Sequence, residues 1–225
     1  MKQPLRQQAY EYVLQRIISG EFSPGMQLSE TRLAREIGIS PTPLREAYRQ
    51  LAGEGLVEHR PHTGAFVRTF GIDEIRDLYE LREVVEARCA VKATQLMNKQ
   101  QTDQLEELNA TMRTVTAKAS TSARMPREFL ESDWLFHSMI LESSGNAAFL
   151  RVMREYQALA KIMLVNRYPH TPEQTSAALD QHEEITEAIK NHDPAHAGSR
   201  MKAHIEFSRN GVLDALDDSA CFRLD

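Results

Sequence analysis

The sequence has little cysteine and no long apolar run. Its 225 residues include only two cysteines, Cys89 and Cys221, which form neither a CxxC pair nor a disulfide framework. This usage is typical of a reducing compartment, so we expect a cytoplasmic location. The N-terminus lacks the apolar segment of a signal peptide, and no run approaches the roughly 18 apolar residues of a membrane span. We therefore expect neither secretion nor a membrane partner.

A strong charge of one sign is also missing. The formal net charge of −5 argues against a protein whose whole surface is covered by nucleic acid. The first 70 residues nevertheless hold nine Lys or Arg against seven Asp or Glu, whereas residues 71–225 carry a net charge of −7. This asymmetry has the sign expected if only the N-terminal part meets an anionic polymer.

Glycine is scarce after the first third of the chain. Seven of the ten glycines lie within residues 1–71. Short elements joined by turns therefore give way to long helices, and we predict two domains, residues 1–70 and residues 71–225.

The first domain is predicted to contain three helices and a small hairpin. Residues 7–19 carry apolar side chains at helical spacing, and Ser29 and Gly38 are typical of the start and end of a second helix. After the third helix, the chain alternates in polarity and turns at Pro61–Gly64, which predicts two short strands.

The second domain shows helical patterns and no strand pattern. Start signals at Asp73, Thr102, Asn146 and Thr171–Pro172 support this interpretation. We predict helices at about 73–97, 101–119, 126–143, 147–166, 173–191 and 195–214. The fold class is thus mainly α: a winged helix-turn-helix with a β-hairpin wing, followed by an all-helical six-helix bundle.

The stretch GISPTPLREAYRQ places two prolines at the start of a helix. Ser40 is a favourable N-cap residue, and Pro41 at the first helical position loses no hydrogen bond. Pro43 also lies in the first turn, where no intrahelical bond is lost. The prolines therefore fix the start of this third helix.

The outward face of this helix carries Thr42, Arg45 and Arg49. Free N–H groups and the helix dipole favour anions at a helix N-terminus, and Arg can also bind the edge of guanine. A preceding short helix and the Gly38 turn give helix-turn-helix geometry, with the third helix as the reader. A solvated helix face with no DNA role would show the same spacing, so both interpretations stand on spacing alone.

Residues 7–68 closely resemble the winged helix-turn-helix of GntR-type bacterial repressors. The shared motifs are PG…L-S-E, L-A-R-E-I-G-I-S, T-P-L-R-E-A and E-G-L-V…G…V. The resemblance implies DNA contacts from the start of the reader helix, the wing and the preceding helix, at Thr31, Ser40, Thr42, Pro43, Arg45, Thr63 and Gly64. We add Arg49 from its position on the same face. Many members carry arginine where this chain has Pro41, so a familiar operator sequence is not assumed.

Four side chains in the second domain are predicted to meet inside the bundle. Asp133 and His137 lie four residues apart on one helix face, and His182 and His204 lie on apolar stripes of later helices. A divalent metal would satisfy all four, and imidazole and carboxylate suit Zn, Ni, Mn, Co or Fe. On spacing alone, separate histidines that each bond a neighbour explain the pattern as well.

Residues 72–214 resemble the FCD effector domain of FadR-like GntR regulators. The resemblance rests on R-E-V-V-E-A, D-x3-H, SSGN, H-x2-I-x3-I and a final His, and its helix count is similar to the VanR branch. It implies that Asp133, His137, His182 and His204 bind a metal joined by a small carboxylate effector. Arg82 and Asn166 are the effector-binding candidates, although a salt bridge to Glu86 would equally explain Arg82.

The leading hypothesis is a homodimeric, ligand-responsive transcription regulator, most simply a repressor. It would bind a pseudo-palindromic operator in double-stranded DNA and respond to a small organic acid at the metal site. The alternative is a metal-dependent hydrolase or lyase that uses the Asp/His3 site to activate water. A third possibility is a purely structural metal site.

Overall fold

The computed structural model describes residues 3–118, 126–153 and 171–218. Over these residues the chain divides into two units, residues 3–71 and residues 72–153 with 171–218, which we call the DNA-binding unit and the helical unit. The structure is mainly helical with one small antiparallel sheet, so the predicted fold class is confirmed. Within the described ranges no helix is both long and apolar enough to cross a lipid bilayer.

The DNA-binding unit packs three helices against a three-stranded sheet. Its elements in chain order are α1 (Leu5–Ile18), β1 (Gln27–Leu28), α2 (Glu30–Ile37), α3 (Pro41–Gly53), β2 (Val57–Arg60) and β3 (Gly64–Val67). The strands are antiparallel in the order β1-β3-β2. The core between them consists of apolar side chains that are removed from water, among them Val13, Ile17, Leu33, Leu44, Tyr48, Leu51 and Val67.

The predicted hairpin is present, but it has a third strand. Gln27 and Leu28 of β1 pair with Phe66 and Ala65 of β3. A strand of two residues is too short to show alternation of polarity, so β1 was not predictable from the residue pattern.

The start of α2 agrees with its sequence signals, whereas the start of α3 differs in one bond. The Ser29 side chain accepts a hydrogen bond from the Arg32 N–H, and Gly38 ends α2 with a φ of 78°. Ser40 occupies the N-cap position of α3, but its hydroxyl makes no cap hydrogen bond. Ser40 is thus the N-cap residue as predicted, but Pro43 at the third helical position has no N–H to donate to its hydroxyl.

The helical unit contains six helices among its described residues. They are α4 (Ile72–Leu96), α5 (Lys99–Lys118), α6 (Arg127–Ser143), α7 (Ala147–Val152), α8 (Pro172–Lys190) and α9 (Pro194–Asp218). The predicted starts at Asn146 and Thr171 are confirmed, because each side chain caps its helix and Thr171 forms a capping box with Gln174. The predicted helix at 147–166 is described only as far as Val152, and its remainder lies outside the described residues.

The bundle brings distant parts of the sequence together. Helix α4 packs on α9, α8 and α6, while α5 lies against α6 and α8. Close approach of α9 to α4 depends on Gly198, since a Cβ there would lie 2.7 Å from Cγ2 of Val91. Side chains from α4, α5, α6, α8 and α9 can therefore meet in one interior.

Candidate functional sites

The first candidate site is the surface at the start of α3, which we call the reader surface. It comprises the eight residues suggested by the sequence: Thr31, Ser40, Thr42, Pro43, Arg45, Arg49, Thr63 and Gly64. All are exposed except Pro43, which is half-buried. The opposite face of α3 is buried through Leu44, Ala47, Tyr48 and Leu51. The apolar spacing of the helix therefore holds its polar face outward.

Arg45 is not an isolated cation. Its Nε donates to Oε2 of Glu30, at the start of α2, over 2.6 Å. More than half of the Arg45 side chain is exposed, so this pair contributes little stability and leaves the guanidinium accessible. Glu30 fixes the direction of Arg45, a contact that the sequence did not reveal.

The wing tip is a hydrogen-bonded turn between β2 and β3. The N–H of Thr63 donates to the Arg60 carbonyl, and the Gln27 side chain from β1 donates to the Thr63 carbonyl over 2.7 Å. His62 has a positive φ of 62°, and the following Gly64 has a φ of 102°. These bonds hold Thr63 and Gly64 at the end of the hairpin, where they are exposed.

The second candidate site is a cluster of three histidines in the helical unit, which we call the histidine cluster. His137 of α6, His182 of α8 and His204 of α9 are buried, and their nitrogens lie close enough together to hold one metal ion. The Nε2 atom of His204 lies 3.1 Å from that of His182 and 3.3 Å from that of His137.

Asp133 lies at the edge of this cluster. Its Oδ1 is 3.5 Å from Nε2 of His182 and 4.0 Å from Nε2 of His137. The Asp133 side chain is 30% exposed, whereas the side chain of His182 is fully buried. The structure thus brings together all four residues named as metal ligands from the sequence, with the carboxylate on the side nearest to solvent.

Two of the histidines have partners that fix their orientation. His137 Nδ1 lies 2.6 Å from Glu86 Oε2, and His204 Nδ1 lies 3.0 Å from Gln181 Oε1. Because both oxygens accept, each Nδ1 donates, and Nε2 is the nitrogen left to bind a metal. The two Nε2 atoms lie 3.3 Å apart. Imidazoles whose Nε2 atoms converge in this way suit a cation, so the residues present fit a divalent metal.

Burial keeps the histidines in the form that binds metal. Removal from water lowers the pKa of His182 to about 4, although the Asp133 charge opposes this shift. Burial, reinforced by His182 and His137, also lowers the pKa of His204 well below its ordinary value. Both rings are therefore neutral at pH 7, and metal binding requires no loss of a proton from them.

A buried ion pair lies next to the cluster on α4. Arg82 Nε donates to Oε1 of Glu86 over 2.6 Å, and both side chains are almost fully buried. Burial alone would raise the pKa of Glu86, but Arg82 and His137 together lower it to about 2. The salt-bridge alternative for Arg82 is thus present in the structure. The other effector candidate, Asn166, lies outside the described residues.

Glu86 and Gln181 are site residues that the sequence did not identify as histidine partners. Glu86 stood only as a possible partner of Arg82, and Gln181 directly precedes His182 in the chain. Gln181 nonetheless reaches the histidine of another helix, His204. No local spacing signals such contacts, because they join α4 to α6 and α8 to α9.

Comparisons with known families match both units of the chain. Residues 5–67 match the family described as bacterial regulatory proteins, gntR family, and residues 77–207 match the FCD domain. The FCD match alone covers more than half of the chain.

Individual relatives are similar over most of their length. The chain is 25% identical to the HTH-type transcriptional repressor RspR of Escherichia coli K12, over 91% of this chain and 87% of that protein. It is 29% identical to the gluconate operon transcriptional repressor of Bacillus licheniformis, over 79% of this chain and 72% of that protein.

A solved structure supports the fold. The structure of E. coli McbR/YncC has a TM-score of 0.78 at 18% identity and covers 96% of this chain and 100% of its own. The matched families and named relatives are transcriptional regulators, so the chain is a regulator and the hydrolase or lyase alternative is not favoured. It belongs to the GntR family of bacterial transcriptional regulators, as a FadR-like member that combines a winged helix-turn-helix with an FCD domain.

Proposed function

We propose that this regulator is a homodimeric repressor whose affinity for its operator is controlled by a metal ion and a small carboxylate. The observation that carries the proposal is the histidine cluster, in which the Nε2 atoms of buried imidazoles converge beside the Asp133 carboxylate. In a transcriptional regulator without catalytic function, a site of this chemistry serves as a sensor. A protein that acts on operator DNA works in the cytoplasm.

The reader surface supplies the DNA-binding half of the proposal. The N-terminus of α3 offers N–H groups and a positive dipole end to phosphate, and the Ser40 hydroxyl is not used in capping. Arg45 and Arg49 are the side chains suited to base edges or phosphates, with Thr31, Thr42, Thr63 and Gly64 as backbone-contact positions. One such unit contacts few phosphates, so two units in a dimer are needed for avidity on a pseudo-palindrome.

The proposed metal ligands are Asp133, His137, His182 and His204. Three imidazoles and one carboxylate suit Zn, Ni, Mn, Co or Fe. When bound, the ion supplies positive charge and an open coordination position for a carboxylate oxygen. Asp133 is partly exposed, so the small acid is expected to enter on its side. Arg82 stays a candidate for carboxylate binding through the network that it shares with Glu86 and His137.

Control of DNA binding then follows from linkage. The metal and the acid shift the dimer between two states only if they bind these states with different affinity. The proposed sign is release from DNA when the acid binds.

A thermal-shift experiment on the full chain tests the sensor. The protein is treated with a chelator, then supplied with Zn²⁺, Ni²⁺ or Mn²⁺, and melted with acetate, succinate or citrate. We expect at least one metal to raise the melting temperature, and at least one acid to raise it further only in the metal-loaded form. The His204→Gln variant should lose both shifts. Equal melting of the chelated and metal-supplied wild type would overturn the metal site.

A further inference from the structure

His182 differs from the other two histidines of the cluster. The Nδ1 atoms of His137 and His204 each have an acceptor, but the buried Nδ1 of His182 has no hydrogen-bond partner in the part of the chain that the structure describes. Metal-binding histidines normally donate their second nitrogen to an acceptor, which orients the ring and fixes its tautomer. The position of His182 therefore calls for an acceptor near Nδ1.

A buried acceptor without a donor lies on the neighbouring helix. Among the described residues, three buried side-chain atoms lack a hydrogen-bond partner: Asn109 Oδ1, Ser138 Oγ and His182 Nδ1. Asn109 belongs to α5, which packs directly against α8, the helix of His182. Its side chain is 4% exposed, so water at the surface does not satisfy the oxygen. Leaving such an atom unpaired in the interior is destabilising.

Thr186 connects Asn109 to His182. Asn109 Nδ2 donates to the Thr186 hydroxyl oxygen over 3.0 Å, and the Thr186 hydroxyl donates to the main-chain carbonyl of His182 over 2.9 Å. Because the single Thr186 proton is used on His182, its oxygen accepts from the amide. That bond directs the Asn109 nitrogen to Thr186 and leaves Oδ1 as the free end of the carboxamide.

The two helices run antiparallel at this point. Arg113, one turn beyond Asn109 on α5, pairs with Asp180 and Glu183 on either side of His182. Asn109 itself contacts Thr186, one turn beyond His182 on α8. The unpaired oxygen and the unpaired nitrogen thus occupy the same stretch of one helix interface. They are complementary as acceptor and donor when Nε2 of His182 binds a metal, because the ring proton is then on Nδ1.

We propose that Asn109 is a positioning residue for the metal site: when Nε2 of His182 binds the metal, Oδ1 of Asn109 accepts the Nδ1–H of that ring. This inference rests on the proposed metal-binding function. It makes His182 equivalent to the other two histidines: each ring donates from Nδ1 and directs the Nε2 lone pair at the metal position. Three separate partners, Glu86, Gln181 and Asn109, then orient the three rings from three helices.

Metal titration of the full-length protein tests the role of Asn109. Zn²⁺ and Co²⁺ affinities are measured for the wild type, Asn109→Leu, which removes the acceptor at similar volume, and Asn109→Asp, which keeps it. We expect Asn109→Leu to weaken binding by about tenfold to a hundredfold, and Asn109→Asp to bind at least as tightly as the wild type. The control is Thr102→Val on the same helix, because the Thr102 hydroxyl bonds only the Lys99 carbonyl. Thr102→Val should change the stability of the protein but not its affinity for the metal.

A second measurement does not depend on variants that fold. In Zn²⁺-loaded wild type labelled with ¹⁵N-histidine, we expect the Nδ1–H of His182 to exchange slowly with solvent and to resonate downfield, as a hydrogen-bonded proton does, with the resonance assigned by its absence in His182→Gln. A rapidly exchanging Nδ1–H without a downfield shift would overturn the role of Asn109. If the wild type binds metal and Asn109→Leu binds it with the same affinity, the role of Asn109 is overturned, while the proposed metal site stands. A wild type that binds neither ion overturns both the proposed metal site and this inference.

Discussion

The reader surface and the histidine cluster represent opposite ways of building a site. The reader residues are exposed side chains on short, consecutive elements within residues 31–64. The cluster is buried and draws its histidines from α6, α8 and α9, as far apart in the chain as His137 and His204. Exposed polar groups cost little stability, whereas buried ones must be paired. Substitutions at the reader surface should therefore affect only DNA binding. Substitutions at the histidine cluster should affect both ligand binding and the stability of the fold.

The largest effect is expected at the buried ion pair. Glu86→Gln removes the buried carboxylate that pairs with both the Arg82 guanidinium and Nδ1 of His137. We expect a loss of about 3–5 kcal/mol in the free energy of unfolding, measured by urea denaturation of the chelated protein. The matched control is Glu83→Gln on the same helix, which pairs with the exposed Lys202 and should cost less than about 1 kcal/mol.

The second-largest effect is expected in the pH dependence of stability, which the buried histidines of the helical unit should cause. As pH falls, the unfolded chain binds a proton at histidine near pH 6.5, but native His182 does so only near its pKa of about 4. Stability present above pH 6.5 is therefore lost toward pH 4. Between pH 7 and pH 5, His182 alone should account for about 2 kcal/mol, with a further loss from His204.

Urea denaturation of the chelated protein at the two pH values measures this loss. The His182→Gln variant should show a smaller dependence on pH than the wild type. A free energy of unfolding that is constant between pH 7 and pH 5 would contradict the burial of neutral imidazoles.

Changes at the reader surface should lower the affinity for DNA without changing the free energy of unfolding. Arg49→Ala and Thr42→Ala are expected to weaken DNA binding by about tenfold to a hundredfold, as lost base or phosphate contacts. Both side chains are exposed, so unfolding should change by less than about 0.5 kcal/mol. Fluorescence anisotropy with DNA selected by the protein from a random library measures the affinity. Arg200→Ala, an exposed change in the helical unit, should bind DNA like the wild type.

The smallest effects are expected at two glycines of α9, where alanine variants distinguish the contribution of packing from that of helix propensity. Gly198→Ala places a methyl group against Val91, and overpacking of this kind costs about 1–3 kcal/mol, partly offset by the better helix propensity of alanine. Gly211→Ala on the same helix meets open space and should stabilise by up to about 1 kcal/mol. Thermal melting compares the two variants. Stabilisation of both would show that α9 does not approach α4 at Gly198 as closely as described.

Sequence reasoning was strongest where structure is local. The apolar spacing of α3, the Gly38 turn and the Thr171 capping box depend on residues within a few positions of each other, and all were predictable. It failed where a partner comes from elsewhere in the chain: β1 exists only because β3 lies beside it. The N-cap position of Ser40 was predicted correctly, but its side-chain cap bond is absent, since Pro43 at the third helical position has no N–H to donate.

The histidine cluster was predictable only in part. Apolar stripes on α6, α8 and α9 directed Asp133, His137, His182 and His204 inward, and the resemblance to FCD domains grouped them. The histidine partners Glu86 and Gln181 could not be assigned, nor could the contact of Asn109 with Thr186, because these contacts depend on how the helices pack and not on spacing along one helix.

The most direct test of metal and acid control is DNA affinity measured by anisotropy in four conditions: chelated or metal-loaded protein, each with and without the acid found by thermal shift. We expect the acid to weaken binding by tenfold or more in the metal-loaded protein and to have no effect after chelation. His137→Gln should behave like the chelated protein. The same DNA affinity in all four conditions would contradict control of this regulator through the histidine cluster.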